Sequence, residues 1–439
     1  RTGHRPMFCN LDPKKLVLIL GLGRYAEGGG VASAAWALRR GFSLRIADLA
    51  HDAEIQKNIQ RLRKIQRRNQ VIDIHLGPHH LRDLEGVGWI IKNPDVPPEI
   101  PLVQAARKRR MLITSDIELF RQERPDVSLI GVTGTRGKST TVALLHHVLR
   151  GTSPATHLAG NIMRSPLGQL AGIHSRDRVV LELSSWQLDS LREMSLELDL
   201  AVVTMLGLDH LYRYPSRAAY WASKKSILQH RSARGVAVLN RDDPAMRRWR
   251  TTRARWFSAS LPLPNVVGAF PSHVASVMVA ADVLEIPKDH VLRRLRTFRG
   301  LQGRRQILRV RNGVTVINDG IATTPEATFA AVRSIPPSTP ILLITGGKDK
   351  HLPDRALAEL IQQRHVRLLP IQGSATTRLL EHFPNQLKVF LSLKGAYAAA
   401  LKMAISGDTI LFSPCGSSFE AFRNVQERIQ TFEQLVRDS

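Results

Sequence analysis

Between Leu129 and Leu145 the chain reads LIGVTGTRGKSTTVALL, an apolar strand that turns through glycines into Lys138-Ser139-Thr140 and then a helix. This order forces a strand edge, a tight turn and a helix N-terminus together. The result is a cradle in which backbone N–H groups and the helix end face an anion. Lys138 adds positive charge, and the Ser139 hydroxyl can ligate Mg²⁺. Val132 stands where the plain G-x-x-x-x-G-K-[ST] pattern has its first glycine, so Gly131 and Gly134 are read as bracketing the turn.

The rest of the 439 residues follows the same grammar, and about 150 residues per domain predicts three domains. KKLVLIL (14–20) is a buried-strand run followed by Gly21-Leu22-Gly23, Gly28-Gly29-Gly30, a helical VASAAWALRRG and a second strand ending at Asp48. Strand, glycine turn, helix, strand, acid is the Rossmann order, with Asp48 set to meet a ribose or a base. The loop from Gly23 to Gly28 is too long for a dinucleotide fingerprint. Gly88–Ile91 leads into the proline-stiffened Lys92-Asn93-Pro94-Asp95. Further strands are read at 179–183, 200–204, 235–240, 314–317, 341–344, 367–370 and 409–412, with helical periodicity at 274–298. Alternation of strands and helices predicts an α/β protein of three layered domains: 1–121 and 301–439 Rossmann-like, and 122–300 a phosphate-loop domain.

Bulk composition narrows the setting. Cys9 and Cys415 are the two cysteines, which excludes a disulfide framework or a paired-cysteine metal motif. No apolar run approaches the ~18 residues of a membrane span. The opening RTGHRPMF lacks the apolar core of a signal peptide, so a soluble, reducing, cytoplasmic setting is expected. The net charge of +26 has two readings, a nucleic-acid footprint or a solvated surface biased toward anionic small substrates. Its spread along the whole chain, without a nucleic-acid-binding motif, favours the second.

Four residues outside the phosphate loop are candidates for chemistry. Glu182 ends an otherwise apolar strand in LELSSWQL, where a carboxylate is costly to bury unless it is paired or bound to a metal. The alternative is a solvent-facing strand end. His210 lies in Gly207-Leu208-Asp209-His210, and Lys224-Lys225 follow; taken alone, the histidine reads as a satisfied surface residue rather than a ligand, and the lysine pair as solvated surface.

Taken together, GVTGTRGKSTT, LELSSWQL, DHLYRYP, the arginine of LQGRRQ, NDGIATTPEAT and SPCGSSFEAFRNVQER resemble the Mur ligase family over nearly the full length, in its D-glutamate-adding branch. The resemblance implies an ATP-dependent amide ligase acting through an acyl phosphate. Its substrates would be UDP-N-acetylmuramoyl-L-alanine and D-glutamate, and its working form a monomer without membrane or nucleic-acid partner. By resemblance, Gly134, Thr135, Gly137, Lys138, Ser139, Thr140, Arg304 and Asp319 bind ATP. Ser139, Glu182, His210 and Lys224 hold two Mg²⁺ ions, with Lys224 carbamylated; the count from Tyr220 in Tyr220-Trp221-Ala222-Ser223-Lys224 selects it over Lys225. Lys138, Glu182, His210 and Lys224 would form the catalytic set. Gly23, Arg24, Asp48, Asn93 and Asn161 would contact the UDP substrate, and Lys350, Ser418 and Phe419 the D-glutamate.

The chain departs from the family pattern at several points. Thr204-Met205 replaces an asparagine, Phe270-Pro271-Ser272-His273-Val274 replaces a His-Asn-x-x-Asn segment facing adenine, and Asp95 replaces a glycine. Gln302-Gly303 replaces Pro-His, Ile321 a lysine and Val425 an aromatic, and the stretch 258–267 is short. An Asn-Pro-Arg type motif, expected of a tripeptide-forming member, is absent from the sequence. A related ligase for another amino acid, and a basic nucleotide- or nucleic-acid-binding homologue without ligase activity, are the alternatives.

Overall fold

The computed structural model describes residues 15–162, 164–191, 196–207, 209, 213–266, 268–385, 387–418 and 421–439. Its strands form three sheets. The first contains β1 (Leu16–Leu20), β2 (Leu44–Asp48), β3 (Ile72–Leu76), β4 (Val87–Lys92) and β5 (Leu112–Thr114) in the order β3-β2-β1-β4-β5. All its pairings are parallel. β1 reads LVLIL, and Val17 to Leu20 are fully buried, as a strand covered on both faces requires.

The second sheet holds β6 (Ser128–Thr133), β7 (Thr156–Gly160), β8 (Arg178–Glu182), β9 (Leu198–Val203), β10 (Arg231–Asn240) and β11 (Ala254–Phe257), ordered β11-β10-β9-β6-β8-β7. It too is parallel throughout. The third sheet runs β12-β13-β16-β14-β15, from β12 (Gln306–Arg311), β13 (Val314–Asn318), β14 (Ile341–Gly346), β15 (Arg367–Pro370) and β16 (Thr409–Cys415). Only its β12–β13 pair is antiparallel. The fold class is α/β.

By contact the chain divides into two compact units. One comprises 1–262 and 275–291, and the other 263–274 and 292–439. The first two sheets lie in the first unit and share an apolar core that runs from Val17 and Trp36 to Leu181 and Val203. In the second unit, clusters around Ile344 and Phe412 and around Leu343 and Leu411 cover the two faces of the third sheet.

Two sequence readings are corrected. Gly131 does not bracket the phosphate turn. It lies inside β6, where an added Cβ would come within 2.8 Å of Leu198 Cδ1, so it serves packing. The periodic stretch 274–298 is two helices, Pro271–Val283 and Lys288–Arg296. Glu285 in left-handed backbone and Pro287 interrupt it.

Candidate active site

The phosphate loop spans the gap between β6 and the helix Lys138–Leu149, with Gly137 at the cap position in left-handed backbone (φ 85°). Glycine tolerates that conformation and brings no side chain to cap the first turn, so the helix N-terminus faces the loop with its amide dipoles. Lys138 Nζ donates back to the carbonyls of Gly134 (2.9 Å) and Thr135 (3.1 Å) and so lies over the turn.

The segment after β9 laces the loop down. Thr135 N–H donates to the Met205 carbonyl at 2.8 Å, and Gly207 N–H to Thr135 Oγ1 at 2.9 Å. Thr204 Oγ1 donates to the Arg136 carbonyl at 2.6 Å, and Asn240 Nδ2 holds the Thr204 carbonyl at 2.9 Å. Sequence reasoning noted Thr204-Met205 only as a missing asparagine and did not single out Asn240. Their work is done largely through backbone groups, which leave little trace in residue identity.

Glu182 ends β8 only 2% exposed, so it is not a solvent-facing strand end. Its Oε1 accepts a hydrogen bond from Asn161 Nδ2 at 3.0 Å, while its buried Oε2 has no hydrogen-bond partner among the described residues. A buried carboxylate oxygen left open is a strong acceptor in want of a donor or a hard cation. Asn161, expected on the substrate, also donates its backbone N–H to the Glu182 carbonyl at 2.8 Å and is thereby fixed to that strand end.

The two lysines part company on the helix Arg217–Lys225. Lys224 is 1% exposed, with Nζ 4.6 Å from the Tyr220 ring centroid, whereas Lys225 is exposed beside Trp249. Burial first, and the Lys138 charge second, push the Lys224 ammonium down to about 7, against the pull of Asp209, Asp189 and Glu182. Lys138, Glu182 and Lys224 thus share one electrostatic neighbourhood. His210 lies outside the described residues, among which no group of three or more His, Cys, Asp or Glu side chains is arranged to hold a metal ion.

The first sheet collects its expected residues at the carboxyl ends of its strands. Asp48 accepts Gly23 N–H on Oδ2 (2.9 Å) and Ala50 N–H on Oδ1 (2.8 Å), and the buried Asn58 holds the Gly23 carbonyl at 3.0 Å. Asp48 therefore shapes the glycine loop. Arg24 pairs with Asp52 at 2.6 Å on the exposed side, and Asn93 Nδ2 reaches the Gly21 carbonyl at 3.3 Å.

In the second unit the turn after β14 pairs with the turn after β16 through reciprocal Lys348 and Ser417 backbone bonds, which sets the Lys350 and Ser418 segments side by side. Lys350 is exposed. Ser418 is 2% exposed, and its Oγ lacks a partner among the described residues. Phe419 lies outside them. Arg428, buried, donates to the carbonyls of Gly416 (2.9 Å), Gly320 (3.0 Å) and Ala322 (3.4 Å) and so bolts the loops after β13 and β16 together. Asp319 accepts from Ser413 Oγ and from Arg305 N–H, and burial pushes its carboxyl up to about 6.

A nucleotide-cradling loop, a buried carboxylate with an open oxygen and a buried lysine define a phosphoryl-handling α/β enzyme. The arrangement of elements is shared by MurF from Acinetobacter baumannii (TM-score 0.60, 15% identity, 96% of this chain and 93% of that one). It is shared too by the UDP-N-acetylmuramate–alanine ligase MurC of Thermotoga maritima (TM-score 0.57, 17% identity, 97% and 99%). Residues 132–261 match the profile of the Mur ligase middle domain. Two relatives named UDP-N-acetylmuramoylalanine–D-glutamate ligase match almost end to end. That of Roseiflexus sp. (strain RS-1) is 31% identical over 96% of this chain and 98% of its own, and that of Borreliella afzelii (strain PKo) is 31% identical over 95% and 97%. The chain belongs to the Mur ligase family.

Proposed function

We propose that the chain joins D-glutamate to UDP-N-acetylmuramoyl-L-alanine at the expense of ATP, a step in building the peptidoglycan precursor. The full-length likeness to relatives of that name supports the substrate pair. The observation that carries the chemistry is the open, buried Oε2 of Glu182 in the same charge cluster as Lys138 and Lys224. The chain is an ATP-dependent amide-bond ligase. The substrate carboxylate attacks the γ-phosphoryl group of ATP, and ADP departs, leaving an acyl phosphate. The D-glutamate amine then adds to the acyl carbon, and the tetrahedral intermediate expels phosphate and closes the amide.

In this reaction Lys138 and the amides of the helix Lys138–Leu149 stabilise negative charge gathering on the transferred phosphoryl oxygens. Gly134, Thr135, Gly137, Ser139 and Thr140 line the same cradle. Arg304 and Asp319 would meet the rest of the nucleotide; Gly23, Arg24, Asp48, Asn93 and Asn161 the UDP-sugar peptide; and Lys350, Ser418 and Phe419 the amino acid's carboxylates. Bound Mg²⁺ supplies charge neutralisation at the phosphoryl oxygens, and Ser139, Glu182, His210 and Lys224 as its carbamate would hold two ions. The open carboxylate oxygen fits that role. So does Lys224, because an amine lowered to about 7 is largely neutral at slightly alkaline pH and can take up CO₂. Three domains, 1–121, 122–300 and 301–439, working as a cytoplasmic monomer, complete the proposal.

A coupled assay of ADP release tests it. Release should require both UDP-N-acetylmuramoyl-L-alanine and D-glutamate. Equal release with L-alanine or meso-diaminopimelate in place of D-glutamate would assign another branch of the family.

A further inference from the structure

The edge of the first sheet opposite the glycine loop and Asp48 is unused by the reaction proposed above. Its strands run parallel, so the helices that lead into β2, β3 and β5 finish at the strands' amino ends, in turns along one edge about 20 Å wide. Those turns are basic. The helix Gly29–Arg39 ends on Arg39, and the helix Ala53–Arg63 on Arg63 and Lys64, with Arg67 and Arg68 just beyond. The helix Pro101–Lys108 runs into Arg109 and Arg110. All of these residues are exposed, and the turns before β2, β3, β4 and β5 set one carboxylate against them, Glu85.

A helix dipole favours a cation in each last turn. It does not account for Arg67, Arg68 and Arg110, which lie past the helix ends. Nor does it account for Ile65 and Val71, aliphatic residues 37% and 57% exposed in the same turn as Arg67 and Arg68. That turn is held in place. Gln70 Nε2 donates to the carbonyls of Leu38 (2.7 Å) and Phe42 (2.8 Å), and the Arg67 guanidinium donates to that of Arg39 (3.2 Å). The aromatic rings beneath it, Trp36, Phe42 and Trp89, are buried, so they offer nucleobases no platform for stacking.

We propose that this basic edge docks the protein on the surface of an anionic phospholipid bilayer, with Ile65 and Val71 entering the headgroup layer. Clustered Arg and Lys gain from the negative surface potential of such a membrane, and exposed aliphatics among them add apolar burial. No described helix is long and apolar enough to cross a membrane, and the contact requires none. The parallel sheet then turns the carboxyl ends of its strands, with Asp48 and Asn93, away from the lipid, so the substrate edge stays open in the docked protein. Part of the net charge of +26 thereby serves a large anionic surface rather than small anionic substrates. The inference stands on this surface alone and does not depend on the ligase reading.

Co-sedimentation of the full-length protein with phospholipid vesicles at about 0.1 M salt tests it. The wild type should bind vesicles containing phosphatidylglycerol and not vesicles of phosphatidylcholine alone. Arg63→Gln, Lys64→Gln, Arg68→Gln and Arg109→Gln combined should weaken binding about thirtyfold or more, and Ile65→Ser with Val71→Ser by a smaller, measurable factor. Both variants should keep the wild-type circular dichroism spectrum and ADP release. The same charge removed elsewhere, by Arg311→Gln, Arg367→Gln, Lys394→Gln and Lys402→Gln, should leave vesicle binding unchanged. Equal loss in that control would trace binding to diffuse charge and overturn the proposal. So would failure of the wild type to bind phosphatidylglycerol vesicles. Poly-uridylate that displaces the vesicles and binds equally well to the Ile65→Ser, Val71→Ser variant would assign the edge to nucleic acid instead.

Discussion

The end of β8 and the loops around Arg428 both bury charge, and they treat it differently. At β8, Glu182 has one oxygen held by Asn161 and the other open, and Lys224 sits over Tyr220 with its ammonium weakened. Around Arg428, each recorded side-chain bond ends on a main-chain carbonyl of a neighbouring loop. The desolvation cost is paid in both places, but only the second recovers it within the protein. A buried charge with unfilled hydrogen-bonding capacity marks a place for ligand, and one that is filled marks architecture. Substitutions should separate the two regions by what they damage.

The largest effect is expected at the phosphate loop. Lys138→Ala should lower turnover by roughly a hundredfold or more, the scale of a lost transition-state contact, with the folded protein intact by circular dichroism. Wild-type ADP release from that variant would break the site assignment.

Lys224 comes next. Lys224→Ala should lose most activity, and acetate should restore part of it by lending a carboxylate to the vacated position. Lys225→Ala, on the exposed side of the same helix, should be nearly silent. In the wild type, activity at limiting bicarbonate should rise as pH climbs through about 7, because the lowered ammonium loses its proton there and only the neutral amine takes up CO₂. Equal activity of both variants would remove the carbamate from the mechanism.

Arg428→Met should show the opposite signature, a loss of stability rather than of phosphoryl transfer. Three carbonyls lose their donor, which should cost roughly 3 kcal/mol in urea denaturation. If stability is unchanged and only kcat falls, Arg428 belongs with the catalytic group and the comparison fails. The smallest effects are expected from Lys350→Ala and Ser418→Ala. Each should raise the KM for D-glutamate about tenfold, the loss of one hydrogen bond to a charged group, with the KM for ATP near normal.

The sequence disclosed the interior of this fold better than its margins. β1, β2, β4, β6, β8, β9, β10, β13, β14 and β16 announce themselves as apolar runs because parallel strands with a neighbour on each side are covered on both faces. The strands that escaped notice, β3, β5, β7, β11 and β12, are all sheet edges. β3 reads IDIHL and is half-buried throughout, and β12 reads QILRVR, with Arg311 exposed. Edge strands carry polar residues and lose the continuous pattern. The one edge that was read, β15, packs Leu368 against the apolar cluster on one face of its sheet and buries Leu369 in the cluster on the other.

The candidate site was legible to a similar degree. Lys138 and Glu182 stand out by type and position, and the count from Tyr220 separates Lys224 from its neighbour. The bond from Asn161 to Glu182 and the bracing of the phosphate loop by Thr204 and Asn240 depend on residues distant in sequence that meet only after folding. No local pattern encodes such meetings.

Binding of Mn²⁺, a paramagnetic substitute for Mg²⁺, tests most directly whether the open oxygen of Glu182 is a cation site. Electron paramagnetic resonance titration in the presence of ADP should show that Glu182→Gln weakens Mn²⁺ at least tenfold. Asn161→Ala, which frees the carboxylate to turn, should weaken it by a smaller factor, and Arg428→Met should leave it as in wild type. Unaltered Mn²⁺ binding in Glu182→Gln would contradict the account.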